Sequence, residues 1–251
     1  HRQYLQAALP TVAHLACDAT PKVAKRALVA AGKMVRVGMA MLVGLLVPSP
    51  SDEEAPALWA SLRALLDAAT AGVAEGRPDA VRMHAAKLAE QVVLLFTPAA
   101  DAGALTVKTE FNVSLLEESH PLVAPSTLME LATDYMVRLL SVLKVGGGGG
   151  GALRSQLLIT AIGSAERIGT RRPQLLRQCA EALAAASAGS VRDAASDGSR
   201  AAAGSVSHAL HRSLIALIKG STGPQAPYSR GVLAQALIAH DSKAAGPQAP
   251  N

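Results

Sequence analysis

The sequence predicts an all-α protein, an α-solenoid of about four to five antiparallel helix pairs. Two segments, residues 18–27 and 77–85, have similar sequences. Each has a turn with proline and aspartate, then valine near a basic residue, and then small residues at the start of an apolar helix. Such repeats are typical of stacked helix pairs, in which each pair buries its open face against the next. Hydrophobic residues form 50% of the 251-residue chain but aromatic residues only 2%. This composition suits helix packing through alanine, leucine and valine, and no alternating run indicates a strand.

The first predicted pair consists of a helix over about 3–17 and a second over about 21–46. Pro10 lies inside the first helix and should kink or shorten it, because proline removes a backbone hydrogen bond. The second helix has a favourable start, in which the capping hydroxyl of Thr20 precedes Pro21 at the first helical position.

The second predicted pair starts at a capping box, Ser-Asp-Glu-Glu over residues 51–54, and its first helix should run to about Val73. The next helix, about 78–96, has the clearest amphipathic pattern. Its apolar side chains recur at helical spacing and predict one buried stripe: Val81, Ala85, Leu88, Val92 and Leu95. The side chains expected roughly opposite that stripe are Met83, Lys87 and Glu90, with Gln91 and His84 at one margin.

We expect a single domain over residues 1–243. Five more helices are predicted, over about 125–145, 153–169, 173–187, 202–220 and 229–242. The expected irregular segments are a long loop at 97–121, a glycine-rich loop at 146–151, a flexible connector at 187–204 and a disordered tail at 244–251. The six consecutive glycines lack the Lys-Ser or Lys-Thr that follows the glycines of a phosphate-binding loop, so we interpret them as flexible low-complexity sequence.

The sequence contains no catalytic, dinucleotide or metal-binding motif that we recognise, so we predict neither enzyme activity nor a cofactor. His208 and His211 are three residues apart and can share a helix face, but no third metal ligand is near them in sequence. Cys17 and Cys179 are isolated, which fits neither a disulfide framework nor a zinc site. The longest uncharged apolar run, 37–47, is too short to span a bilayer.

Charge leaves two kinds of partner open. With 24 basic and 19 acidic residues, the net charge is +5, which tolerates an acidic partner without requiring one. RNA binding along a basic groove is possible but not favoured, because single-stranded RNA stacks on aromatic side chains, which are scarce here. Such a groove would need these residues on one surface: Arg26, Lys33, Arg36, Arg82 and Lys87. Because the sequence begins with His1, we expect it to be a piece of a longer protein.

One stretch supports a family assignment. The run V-R-M-H-A-A-K-L-A-E from Val81 to Glu90, followed by F-T-P at 96–98, resembles the N-terminal HEAT domain of symplekin and the Pta-type proteins. Later landmarks of that domain follow in the same order: 112–115, 119–122, 160–164 and 214–219. The resemblance covers about 18–219 and implies a HEAT-like solenoid.

The resemblance also implies a function. Such a domain is a non-catalytic nuclear scaffold of the pre-mRNA cleavage and polyadenylation machinery, and it docks, and can stimulate, a phosphatase of the RNA polymerase II C-terminal domain. In the family, the lysine of the motif Arg-x-His-Ala-x-Lys lies on the phosphatase-binding face, and here it is Lys87. The expected partner-binding residues are Lys87, Met83, Glu90 and Gln91. A general HEAT or armadillo adaptor, for example in transport, is the alternative with the same fold, and the glycine-rich loop and the 187–204 connector depart from the family pattern.

Overall fold

The computed structural model describes residues 2–45, 51, 53–99, 111, 113–144, 152–190 and 200–245. In those residues the chain forms helices and no strand, which confirms the all-α prediction. The helices are α1 (Arg2–Ala16), α2 (Pro21–Leu42), α3 (Glu54–Ala71), α4 (Asp79–Phe96), α5 (Pro125–Lys144), α6 (Ala152–Arg171), α7 (Leu176–Ala185), α8 (Arg200–Gly220) and α9 (Ala226–Ala245). Short 3-10 turns lie at Val113–Leu115 and Pro173–Leu175, and a π-helical turn, Ala186–Ser190, continues α7.

The chain divides into two compact units, residues 1–138 and 139–251, and α5 spans the boundary. In the first unit each helix packs on its neighbours along the chain and on the helix after next: α1 on α2 and α3, α2 on α3 and α4, and α3 on α4. Thus α1 and α3 form one layer, and α2 and α4 form the other. This repeating contact is how an α-solenoid covers the open face of each helix pair.

The second unit repeats the pattern. Helix α6 packs on α7 and α8, α7 on α8 and α9, and α8 on α9. The helix-on-next-helix packing of an α-solenoid is therefore present in both units, as the sequence predicts. The expected count of four to five pairs stays a prediction.

The sequence signals at helix starts are partly confirmed. The capping box before α3 is formed, since the Ser51 N–H donates to Glu54 Oε2 at 3.1 Å and the Glu54 N–H donates to Ser51 Oγ at 3.3 Å. Pro21 is the first residue of α2, as predicted, but the Thr20 hydroxyl does not cap that helix. The Thr20 N–H instead donates to Asp18 Oδ1 at 2.6 Å, and this bond lowers the pKa of the Asp18 carboxyl.

Helix α2 ends earlier than predicted, at Leu42 rather than near residue 46. Gly44 has a φ of 74°, a left-handed conformation that glycine adopts without steric cost. The Gly44 N–H donates to the Met41 carbonyl at 3.1 Å and the Leu45 N–H to the Ala40 carbonyl at 2.9 Å. These are the two bonds of a Schellman motif, which stops the helix although the sequence stays apolar.

Pro10 neither shortens nor divides α1, which runs unbroken from Arg2 to Ala16. Pro10 is exposed. Its ring therefore projects from the exposed side of the helix, and it removes only the hydrogen bond to the Gln6 carbonyl. This explains why the proline is tolerated.

Two predicted irregular segments are smaller than expected. The 187–204 connector is helical at both ends, because the π-helical turn reaches Ser190 and α8 begins at Arg200. Likewise, α9 continues into the predicted tail as far as Ala245. Four parts of the predicted irregular segments lie outside the described residues, namely the glycine-rich loop 146–151, residues 100–110 of the 97–121 loop, residues 191–199 of the connector, and residues 246–251.

Arg77 connects the turns of the first two helix pairs, a role that the sequence analysis missed. Its guanidinium donates from Nη1 to the Cys17 carbonyl at 3.0 Å and from Nη2 to the Ala16 and Asp18 carbonyls at 3.2 and 3.0 Å. These carbonyls lie at the end of α1, where backbone acceptors have no partner within the helix. Arg77 therefore caps α1 from the start of the next repeat and helps to hold the two pairs together.

No helix in the described part of the chain is both long enough and apolar enough to span a membrane.

Candidate protein-binding face

Helix α4 has the two-sided character that its sequence predicts. Four residues of the predicted stripe are buried, namely Val81, Ala85, Leu88 and Val92, and Leu95 is half-buried. On the opposite side Met83 and Lys87 are half-buried and Gln91 is exposed. With the half-buried Leu94, these residues recur at intervals of three or four and share one face. We call Met83, Lys87, Gln91 and Leu94 the α4 stripe.

Glu90 does not lie on that open face, and its predicted exposure is wrong. The Glu90 side chain is only 4% exposed and accepts a hydrogen bond from Lys87 Nζ at 2.9 Å. Glu90 projects about 60° from Lys87 around the helix, at the buried flank. A carboxylate can be buried there because an ammonium group neutralises it.

The ion pair changes what Lys87 can do. The Lys87 side chain is 39% exposed, so part of it faces solvent while its ammonium group is held by Glu90. The pair directs the ammonium group of Lys87 toward Glu90.

Arg82 is likewise not on the surface, so one of the five residues of the predicted RNA groove is missing from it. The Arg82 side chain is 5% exposed, and it donates from Nε to the Val73 carbonyl and from Nη1 to Asp79 Oδ1, each at 3.1 Å. It thereby joins the turn after α3 to the first turn of α4. Its charge stabilises the fold and is not presented to a ligand.

The open sides of α2 and α4 adjoin. Gly32 of α2 lies so close to α4 that a Cβ atom there would be 2.5 Å from Gln91 Oε1 and 3.4 Å from Leu88 Cδ1. Farther along, burial and then the positive charge of Lys25 lower the pKa of His84. The α4 stripe therefore continues across a close helix contact onto the exposed side of α2.

Of the two histidines considered as metal ligands, His211 has another partner. His211 Nε2 lies 3.4 Å from Asp241 Oδ1, and the buried His240 has its Nε2 2.9 Å from Ser207 Oγ. His208 is exposed. Within the described ranges, no group of three or more histidine, cysteine or acidic side chains is placed to hold a metal ion.

Ser207, His240 and Asp241 include the residue types of a hydrolase triad. However, His240 Nδ1 is 3.5 Å from Asp241 Oδ1, at the outer limit of a hydrogen bond and too far for firm orientation of the ring. His240 is also buried. We interpret this cluster as a polar contact between α8 and α9.

The two cysteines are free thiols. Cys17 is exposed, whereas Cys179 is buried, and burial raises the pKa of the Cys179 thiol to about 12. Cys179 therefore stays protonated at neutral pH and is a poor nucleophile.

A comparison with protein families identifies one family that matches this chain. The family model described as Symplekin/PTA1 N-terminal matches residues 20–245, most of the chain, and includes the whole α2–α4 region. A comparison with individually curated proteins gave no match. The family implies a scaffold of mRNA 3′-end processing, a nuclear process, that interacts with other processing factors. The chain belongs to the Symplekin/PTA1 N-terminal family.

Proposed function

We propose that this domain acts in the nucleus as a non-catalytic docking platform for a phosphatase of the RNA polymerase II C-terminal domain, which it binds through the α4 stripe. The observation that supports the proposal is the position of Lys87. It lies on the open side of α4, away from the buried stripe, and it is the lysine that the sequence resemblance assigns to the phosphatase-binding face. Other cleavage and polyadenylation factors would bind elsewhere in the same assembly.

The contacts offered by the α4 stripe suit a protein surface. Met83 provides a flexible apolar side chain that adapts to an irregular partner. Gln91 offers both a donor and an acceptor, and Lys87 offers a cation that is paired with Glu90. We expect the lysine to select the orientation of the partner more than to supply affinity, because an exposed charge contributes little net binding energy.

Stimulation of the phosphatase would follow if docking favours its active conformation. A partner can shift such an equilibrium only by its difference in affinity for the two conformations. A rigid helical face can provide that difference because it is already ordered before binding. Stimulation is measured as the turnover of a phosphorylated polymerase-tail peptide with and without saturating amounts of the domain.

The binding test must distinguish direct contact between Lys87 and the phosphatase from an indirect effect, in which Lys87 only stabilises the buried carboxylate of Glu90. Lys87→Ala alone does not do so, because it also takes a partner from a buried carboxylate. We therefore compare four proteins: the parent, Lys87→Ala, Glu90→Gln, and the double variant. Affinity for a purified polymerase-tail phosphatase is measured by calorimetry, and thermal unfolding is recorded for each protein.

If Lys87 contacts the phosphatase, Lys87→Ala and the double variant both lose about three- to fivefold in affinity, the effect expected of one exposed charge, whereas Glu90→Gln, which frees the ammonium group without removing it, loses less. Gln156→Ala, on the exposed side of α6, is the matched control and should bind like the parent. Recovery of both affinity and thermal stability in the double variant would show that Lys87 only supports Glu90. Failure of the parent to bind would refute the docking proposal.

A further inference from the structure

Helix α2 presents a row of basic side chains that the proposed phosphatase contact does not use. Its sequence has five basic residues and no acidic one. The row consists of Lys22, Lys25, Arg26, Lys33 and Arg36. Four of these are exposed and Lys25 is half-buried. We call this row, with the exposed Val29 and Val37, the α2 strip.

The α2 strip lies on one side of its helix. Residues 22, 26, 29, 33 and 36 follow at intervals of three or four, so they project within a narrow arc. The opposite side, with Ala24, Ala31 and Val35, is buried. From Lys22 to Arg36 the helix rises about 21 Å, since each residue adds 1.5 Å.

The carboxylates nearest to the strip in sequence, or on the adjoining helix α4, have other partners. The Asp18 carboxylate accepts the Thr20 N–H, Asp79 accepts from Arg82, and Glu90 accepts from Lys87. Among the described residues, no carboxylate forms an ion pair with any of the five cations of the strip. Their charge is therefore not neutralised within this part of the chain.

Two exposed valines divide and end the cationic row. Val29 is 52% exposed and Val37 is 41% exposed. Val29 lies between a cluster at 22–26 and a pair at 33–36. Hence the strip offers positive charge, an apolar patch, and positive charge again, over the length of about six or seven extended residues.

We propose that the α2 strip binds an extended acidic segment of another protein, in which an apolar side chain lies between two groups of carboxylates. Charge complementarity selects an anionic partner, and the central Val29 favours one with an aliphatic side chain at its middle. RNA fits less well because α2 has no aromatic residue, and on α4 Phe96 is buried and the ring of His84 is half-buried. Bases would therefore have little aromatic surface on which to stack. The proposal goes beyond the phosphatase contact and does not depend on it.

The test uses a fluorescein-labelled peptide, Glu-Asp-Glu-Leu-Gly-Glu-Asp, in fluorescence anisotropy titrations of the whole chain at low salt. We expect saturable binding that weakens as salt is raised. The variant Lys33→Gln/Arg36→Gln should bind at least about fivefold more weakly, because it loses two charge contacts. The control, Arg212→Gln/Lys219→Gln, removes the same net charge from exposed positions on α8 and should stay within about twofold of the parent. Glutamine maintains helix propensity in both variants.

The central valine has its own test. The parent should bind the leucine peptide more tightly than a peptide in which serine replaces leucine. Val29→Ser should bind the two peptides equally, with the affinity of the parent for the serine peptide.

Three results would overturn the proposal. The parent could fail to bind the peptide, or the α8 control could lose as much affinity as the α2 variant, which would show a net-charge effect alone. Tighter binding of a uridine-rich oligonucleotide of equal charge, with the same dependence on Lys33 and Arg36, would instead assign the strip to RNA. Loss of phosphatase binding in the Lys87 variants would leave the peptide result unaffected, so the two proposals fail separately.

Discussion

Helices α2 and α4 lie side by side in one layer of the first unit, yet their charged residues have different surroundings. On α4, Arg82 pairs with Asp79 and Lys87 pairs with Glu90, and one member of each pair is buried. On α2, the cations project from the exposed side and pair with no carboxylate in the described part of the chain. The number of charges on a helix therefore does not reveal their role, because a charge with a buried partner also stabilises the fold, whereas an exposed and unpaired one does not.

The largest effect should come from a charge in the core between these helices. Leu88 is buried, and its Cδ1 lies beside Gly32 of α2. Leu88→Asp loses apolar burial and forces a carboxylate into a site without a counter-charge, so we expect a loss of about 4 kcal/mol or more. Circular dichroism should show that the first unit is unfolded or melts far earlier. The matched variant Lys33→Asp, on the exposed side of α2, should keep the helical signal, and a parent-like melting curve for Leu88→Asp would contradict the packing described.

Arg82 and Arg26 provide a direct comparison of a buried and an exposed arginine. Arg82→Met should cost about 2–3 kcal/mol in the free energy of unfolding, because it removes charged hydrogen bonds to Asp79 and the Val73 carbonyl. Arg26→Met, at an exposed position, should change it by no more than about 0.5 kcal/mol. Chemical denaturation measures both. Equal effects would mean that the two helices do not differ in how they use charge.

Two glycines of α2 should respond differently to alanine. A Cβ at Gly38 would lie 2.6 Å from Cδ2 of the fully buried Leu62, so Gly38→Ala overpacks the core and should destabilise the protein by about 1–2 kcal/mol. At Gly32 the nearest atom is the mobile end of Gln91, which can move away. Gly32→Ala should therefore be neutral or stabilise by up to about 1 kcal/mol through helix propensity. Chemical denaturation of both variants measures the two effects. If Gly32→Ala were less stable than Gly38→Ala, the close contact of α2 with α3 at Gly38 would be disproved.

The smallest expected effect is the titration of His84. Burial first, and then Lys25, lower its pKa below the ordinary 6.5, so the unfolded chain takes up this proton before the folded one does. The contribution of His84 to stability is therefore full above the unfolded pKa and decreases as pH falls through it to the folded value. NMR titration of the ring should show the lowered pKa in the parent and a smaller shift in Lys25→Gln. If the pKa of His84 in Lys25→Gln equals that in the parent, Lys25 does not lie near His84 of α4.

The parts of the fold that depend only on residues close together in sequence were predictable. The apolar period of residues 81–92 is enough to place α4 and its buried stripe, and Ser51 with Glu54 marks the start of α3. The early end of α2 depends on Gly44 adopting a left-handed conformation, and the continuous apolar sequence around it conceals that turn. The sequence predicts that Pro10 kinks or shortens α1, but the helix runs on to Ala16 because Pro10 lies on an exposed side, which tertiary packing determines.

The candidate site was predictable only in part, for the same reason. The helical period predicts Met83 on the open face and Gln91 at its margin, and the structure has Met83 half-buried and Gln91 exposed. By the same period Glu90 is expected opposite the buried stripe, but it is buried and its carboxylate is neutralised by Lys87, which a helical wheel does not reveal. Arg82 donates to the Val73 carbonyl in the turn after α3, and His211 of α8 meets Asp241 of α9, so neither contact follows from the period of a single helix.

Hydrogen–deuterium exchange of the whole chain, with and without a polymerase-tail phosphatase, tests docking on the α4 stripe most directly. Residues 79–96 should exchange more slowly when the phosphatase is bound, while residues 200–220, on α8, should not change. Protection confined to the second unit, or none within 79–96 at saturating phosphatase, would contradict the assignment of α4 as the docking helix.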